Sequence, residues 1–100
     1  MTIRTERPAP DSMVLFLSGR LDTASSCAFE LNLNELIDGT ADIIFDFKDL
    51  GYISSSGLHV LLQAQKTMTA KNRKLVMRNV SGAVKDVFEM TGFTSIVTLE

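Results

Sequence analysis

The chain has 100 residues, 45% of them apolar, and its 10 basic and 12 acidic residues give a formal net charge of −2. That length supports one domain, 1–100, around one core and is too short for two. Mixed charge of this size favours neither disorder nor a polyanionic partner, which sets nucleic acid aside.

A lone cysteine, Cys27, excludes an intramolecular disulfide, and the opening residues are polar and charged rather than a basic segment followed by an apolar stretch. Both features fit a reducing, cytoplasmic setting. The apolar runs break off far short of the roughly 20 residues that cross a bilayer, so no membrane insertion is expected. Binding to the cytoplasmic face of a membrane protein stays open.

Residues 2–6 alternate weakly and are followed by Pro8 and Pro10, the pattern of a short edge strand. A turn at Pro10, Asp11 and Ser12 leads to a firmer strand at 13–17, ended by Ser18 and Gly19, and the two strands read as a hairpin. A first helix follows, with Asp22 or Thr23 as N-cap, an apolar face including Cys27, Ala28, Leu31 and Leu36, and an end near Asp38 and Gly39. Ile43, Ile44 and Phe45, between Asp42 and Asp46, make an uninterrupted apolar run, predicted to be a central strand covered on both faces.

The stretch DFKDLGYISSSGLHVLL, residues 46–62, closes that strand, crosses a serine-rich loop and enters a helical pattern. Leu58, Leu61, Leu62, Gln65 and Met68 recur at helical spacing, which places Ser54, Ser55 and Ser56 at or just before a helix N-terminus. Such an end favours negative charge, because its first N–H groups lack intrahelical acceptors and the peptide dipoles add up there. The helix is predicted to run to Lys71 and Asn72, with Lys71, Arg73 and Lys74 as a solvated basic terminus. A strand at 74–80 carries Leu75, Val76 and Met77. Ser81 and Gly82 start a third helix with Ala83, Val84, Val87 and Phe88 on one face, closed by Gly92. A last short strand spans 96–99. The resulting class is α/β: a mixed sheet with an N-terminal hairpin and later parallel strands, helices packed on it, in the order β-β-α-β-α-β-α-β.

Enzymatic chemistry is not expected. Ser55 and His59 share a helix face four residues apart, with Asp22 as a conceivable third member. A nucleophile nevertheless needs an oriented base, the G-x-S-x-G elbow is missing, and the chain has one histidine. His59 is expected at the exposed rim of the first turn. Asp42, Asp46 and Asp49 are not expected to converge on a metal and read as isolated structural carboxylates. Neither nucleotide-binding glycine signature is present, so no cofactor is expected. Cys27, on the buried-looking side of the first helix, and Met68, Met77 and Met90 read as core fillers. Capping a helix does not by itself require three consecutive serines.

The stretch 46–62 closely resembles the signature of the STAS family, the domain of bacterial anti-sigma-factor antagonists, in which a strand passes through an Asp-containing turn into a Ser-Ser-Gly-Leu helix start. GRLDTASS at 19–26 resembles the family's Gly-x-Leu-Asp loop, and Gly92-Phe93 its Gly-Phe after the last long helix. The family's common junction reads Asp-Ser-Ser/Thr-Gly. Here Ser54 stands in place of the Asp, Ser55 matches the phosphorylated serine, Ser56 the next hydroxyl and Gly57 the glycine, while Asp22 matches the loop acid. The replacement at Ser54 removes a carboxylate and introduces a rival acceptor.

The resemblance implies a partner switch. The unphosphorylated protein binds an anti-sigma factor that is also a serine kinase of the histidine-kinase-ATPase type and so frees a sigma factor. Phosphorylation at Ser55 releases it, and a serine phosphatase resets the cycle. The implied contact surface comprises Asp22, Ser54, Ser55, Ser56, Gly57, Leu58 and His59, with Gly57 allowing close approach of the partner's backbone. The alternatives are a STAS regulatory subunit acting on a transporter or signalling enzyme and, from another class, a small serine-dependent enzyme.

Overall fold

A computed structural model describes residues 1–37, 41–80 and 82–99. Strand β1 (Thr2–Ala9) pairs antiparallel with β2 (Ser12–Leu21), so the predicted hairpin is present. Both strands outrun their expected ends. Pro8 lies within β1, where an edge strand tolerates a missing N–H, and the register shifts between Glu6 and Ala9. Gly19 does not end β2. It adopts φ 93° beside a register shift, and the strand continues to Leu21.

Helix α1 (Thr23–Ile37) leads to β3 (Asp42–Ile53), α2 (Ser55–Ala70) to β4 (Leu75–Arg78), and α3 (Gly82–Met90) to β5 (Thr98–Leu99). The expected end of the first helix at Asp38 and Gly39, and the Ser81 start of the third, lie outside the described residues. A single 3-10 turn, Phe93–Ser95, precedes β5 and shortens the strand expected at 96–99. The sheet is five-stranded, and its spatial order β1-β2-β3-β4-β5 equals the chain order. Strands β2 to β5 are parallel.

A sheet that grows in one direction through right-handed crossovers places all its helices on one face. The core therefore lies on that face, where Met13, Leu15, Leu17, Ile43, Phe45, Phe47, Leu75 and Met77 meet Phe29, Leu33, Leu61, Met68, Val84 and Phe88. The rings form a chain of contacts: Phe29 to Phe45 at 6.3 Å, Phe45 to Phe47 at 6.1 Å, Phe47 to Phe88 at 5.8 Å and Phe88 to Phe93 at 4.8 Å. The expectation that the run 43–45 is covered on both faces is corrected accordingly. Ile43 and Phe45 point into the core, whereas Ile44 turns to the other face and is half-buried.

The phase of α1 also differs from expectation. Its buried residues are Ser26, Phe29, Leu33 and Ile37, while Cys27 and Ala28 are exposed, Leu31 is 69% exposed and Leu36 is half-buried. Apolar residues occur all round this helix, and the phase that seats Phe29 edge-on against Phe45 prevails. Ser26 satisfies its buried hydroxyl by donating to the Thr23 carbonyl. Of the methionines, Met68 and Met77 are core residues, but Met90 is 79% exposed at the end of α3.

Two of the three β3 carboxylates, Asp42 and Asp46, are not isolated, whereas Asp49 is exposed. Parallel pairing places Asp46 opposite Arg78, and Asp46, 5% exposed, accepts from Lys48 N–H at 2.9 Å, Arg78 Nε at 3.0 Å and Asn79 Nδ2 at 3.1 Å. Burial pushes this carboxyl up, but the hydrogen bonds from Lys48, Asn79 and Arg78, with the guanidinium charge, outweigh it and hold it below its ordinary value. Asp42 accepts from Lys74 N–H at 3.0 Å and pairs with Arg73 Nε at 3.2 Å. Lys71 donates its ammonium to the Ile37 carbonyl at the end of α1. Lys71 and Lys74 are exposed, as expected of a solvated basic terminus, while Lys71 also supplies a donor to a helix-end carbonyl and half-buried Arg73 reaches back to β3.

Candidate functional site

The serine junction sits where β3 ends. Strands β2 and β3 pair through Leu21 and Ile53, and Ser54 N–H donates to the Leu21 carbonyl at 2.8 Å, which carries the pairing one residue past the strand. Ser54 then leaves the strand in extended conformation, and its hydroxyl accepts from Gly57 N–H at 3.1 Å. That is the geometry of an N-cap, in which a side-chain oxygen serves a backbone donor without an intrahelical partner. Ser55 becomes the first residue of α2 and is exposed, whereas Ser54 and Ser56 are half-buried.

Gly57 is buried against Leu21, and a side chain at 57 would collide with that leucine. The close approach it permits is therefore internal: the first turn of α2 lies directly on the end of β2. This differs from the expected approach of a partner's backbone to that glycine. Leu58 is half-buried and His59 is exposed, as predicted for the rim of the first turn.

Asp22 follows Leu21 and starts α1 beside the serine junction. Its Oδ1 accepts from Ser25 N–H at 2.9 Å, while Ser25 Oγ accepts from Asp22 N–H at 3.0 Å. This reciprocal capping identifies Asp22, not Thr23, as the N-cap. The Ser25 N–H, then the Ser25 hydroxyl, hold the Asp22 carboxyl below its ordinary value against a smaller opposing effect of burial. Two helix N-termini therefore open on the same edge of the sheet, because parallel β2 and β3 end side by side.

A groove of about 200 Å³ runs along α2 next to this junction, lined by Ser55, Leu58, His59, Leu62, Thr91, Phe93 and Ile96. Its far wall was not assigned to the site by sequence reasoning. The available signal was Gly92-Phe93: Gly92 adopts φ 73°, turning the chain after α3 so that Phe93 packs on Phe88 and brings Thr91 and Ile96 to the groove. Among the described residues, no group of three or more His, Cys, Asp or Glu side chains is placed to hold a metal ion. No described helix is long and apolar enough to cross a membrane.

Known proteins resemble this chain in sequence and in fold. BtrV of Bordetella bronchiseptica, named as a candidate anti-sigma factor antagonist, is 33% identical over 85 residues, covering 84% of this chain and 73% of its own. The anti-sigma-B factor antagonist of Bacillus subtilis is 26% identical over 83 residues, covering 83% of this chain and 76% of its own. Among solved structures, the anti-sigma factor antagonist SpoIIAA in its unphosphorylated form superposes with a TM-score of 0.84 at 23% identity, over 99% of this chain and 88% of that one. The phosphorylated form of the Bacillus protein SpoIIAA superposes with a TM-score of 0.76 at 22% identity, over 99% and 91%. The STAS domain family model matches residues 3–100, and with the strand order and serine junction described above, this chain belongs to the STAS domain family.

Proposed function

We propose that this protein is an anti-sigma-factor antagonist that acts by partner switching from the cytoplasm, as a regulatory binding module rather than an enzyme. The observation that carries the reading is the division of labour among the serines. Ser54 is tied down as the cap of α2, and Ser55, the position matching the family's phosphoacceptor, stands exposed on the first turn. The names of the relatives and the likeness to SpoIIAA in both phosphorylation states support it.

Unphosphorylated, the protein binds an anti-sigma factor that is also a serine kinase of the histidine-kinase-ATPase type, and a sigma factor is freed. The contact face centres on Ser55, Ser56, Leu58 and His59, with Asp22, Ser54 and Gly57 holding its shape. Transfer of phosphate to Ser55 adds about −1.5 to −2 charges at neutral pH. The N-terminus of α2 tolerates that charge, so the fold persists. Burying an unpaired phosphate in the interface costs several kcal/mol. Since about 1.4 kcal/mol is a factor of ten in affinity, release needs no change of fold. A serine phosphatase restores the binding form.

Capture from lysate with Ser55→Ala and Ser55→Asp baits tests the reading. The alanine form is expected to retain a kinase-type anti-sigma factor and the aspartate form to lose it. Equal capture by both sinks the switch, and capture of a transporter or signalling enzyme would redirect it to a different target. Mass spectrometry after incubation with ATP and the captured kinase is expected to place the phosphate on Ser55. Ester turnover that disappears in Ser55→Ala would mark an enzyme instead.

A further inference from the structure

The groove beside the phosphoacceptor is chemically lopsided in a way the switch does not use. Leu58, Leu62, Phe93 and Ile96 make it apolar, and Ser55, His59 and Thr91 supply its polar groups. Ser55 and His59 lie four residues apart on α2 and line the same groove, so their side-chain stems stand roughly 5–6 Å apart on one helix face. A phosphate on Ser55 would project into the space that the imidazole borders.

The Asp22 carboxylate stands at the neighbouring helix start, held by Ser25, and is not part of the groove lining. Among the described residues lining the groove, His59 is the one ionisable group, and Thr91, Phe93 and Ile96 on the facing segment are uncharged. The first turn of α2 carries no acidic residue, since Ser54 occupies the position where the family commonly has a carboxylate. His59 is exposed, so the imidazole is open to solvent and to a charge placed beside it.

We propose that His59 is the counter-charge of a phosphate on Ser55, which makes the modified state of the switch proton-linked. The inference rests on the phosphorylation of Ser55 proposed above. The imidazolium pairs with the phosphate dianion at mildly acidic pH and, once deprotonated, leaves the dianion uncompensated. The form that repels the partner most strongly is then the one present at neutral pH and above. Acidification both protonates the phosphate and neutralises it through His59, so phosphorylated protein excludes its partner less completely. His59 acts through the phosphate and is a positioning residue.

The test needs no kinase. Phosphoserine is incorporated at position 55 during translation, in the otherwise unchanged chain and in His59→Gln, and the phosphorus resonance is followed against pH. The phosphate of the parent is expected to titrate about 0.3 of a pH unit lower than in His59→Gln, a twofold difference in proton affinity and the size an exposed i, i+4 ion pair on a helix gives. By linkage, the imidazole of the chain's single histidine titrates higher by the same amount when Ser55 carries phosphate. Both shifts shrink in about 1 M salt. The glutamine variant keeps the helix and its dipole, so a merely structural role for His59 leaves the phosphate curve unmoved. Coincident curves in the two proteins overturn the proposal while the switch itself stands. A kinase reaction that leaves Ser55 unmodified removes the switch instead.

Discussion

A Cβ placed on Gly57 would sit 2.5 Å from Cγ and 2.9 Å from Cδ2 of Leu21, and 3.1 Å from the Leu21 carbonyl oxygen. Leu21 is fully buried, and its carbonyl already accepts from Ser54 N–H, so neither the side chain nor the backbone has room to yield. Gly57→Ala therefore sets an overpacking penalty of about 1–3 kcal/mol against a gain in helix propensity of at most about 1 kcal/mol. The expected outcome is net destabilisation of up to about 3 kcal/mol, with α2 displaced from β2. Equilibrium urea unfolding checks it, and a variant as stable as the parent would show that the joint can relax.

Ser54→Ala removes the cap of α2 but keeps the Ser54 N–H bond to Leu21. A loss of about 0.5–2 kcal/mol is expected. For a domain of this size, each kcal/mol lowers the melting temperature by roughly 4–8 °C. Modification at Ser55 should survive in this variant. Phosphate found on Ser54 of the parent would contradict the assignment of roles at the junction.

Asp46→Asn leaves an acceptor for Lys48 N–H but takes the charge from the pair with Arg78. Hydrogen bonds to charged groups contribute about 1.5–3 kcal/mol, and a loss in that range is expected at neutral pH. The sign with pH follows from a folded-state carboxyl held below its ordinary value of 3.8. Its stabilisation is complete above that value and drains away as pH falls through the lowered one. Parent and variant should therefore differ clearly in urea midpoint at about pH 7 and converge as the pH falls through the lowered value.

Ser25→Ala strips the hydroxyl from the capping pair and leaves the Ser25 N–H to Asp22 bond in place. Since that N–H is the larger influence on Asp22, the Asp22 carboxyl should rise only part of the way toward its ordinary value of 3.8. Carboxyl NMR titration reads the shift directly. A full return to the ordinary value would show that the hydroxyl, not the backbone, dominates.

Local signals accounted for much of this molecule before its fold was known. The change from strand-like runs to helical spacing marked the helices in order, and Asp22 or Thr23 and the serines 54–56 read as helix starts because capping is a property of a few consecutive residues. Features that depend on lateral placement were out of reach. Asp46 meets Arg78 through a register between strands 32 residues apart, so the sequence made Asp46 look solitary. The phase of α1 was ambiguous because Cys27, Ala28 and Leu31 compete with Phe29, Leu33 and Ile37, and only the ring of Phe45 decides between them. The groove wall from residues 91–96 likewise reaches the site through a turn far along the chain.

The identity of spatial and chain order in the sheet bears on how the protein is made. Each parallel strand docks on the one that left the ribosome just before it, so assembly can follow chain order, although each such pairing closes a crossover of roughly 30 residues and is intrinsically slower than hairpin formation. Leu21, Ser54 and Gly57 can lock together before residues 91–96 join the fold. The wall formed by Thr91, Phe93 and Ile96 arrives last. A nascent chain thus carries the bare serine junction for an interval before the groove beside it is complete.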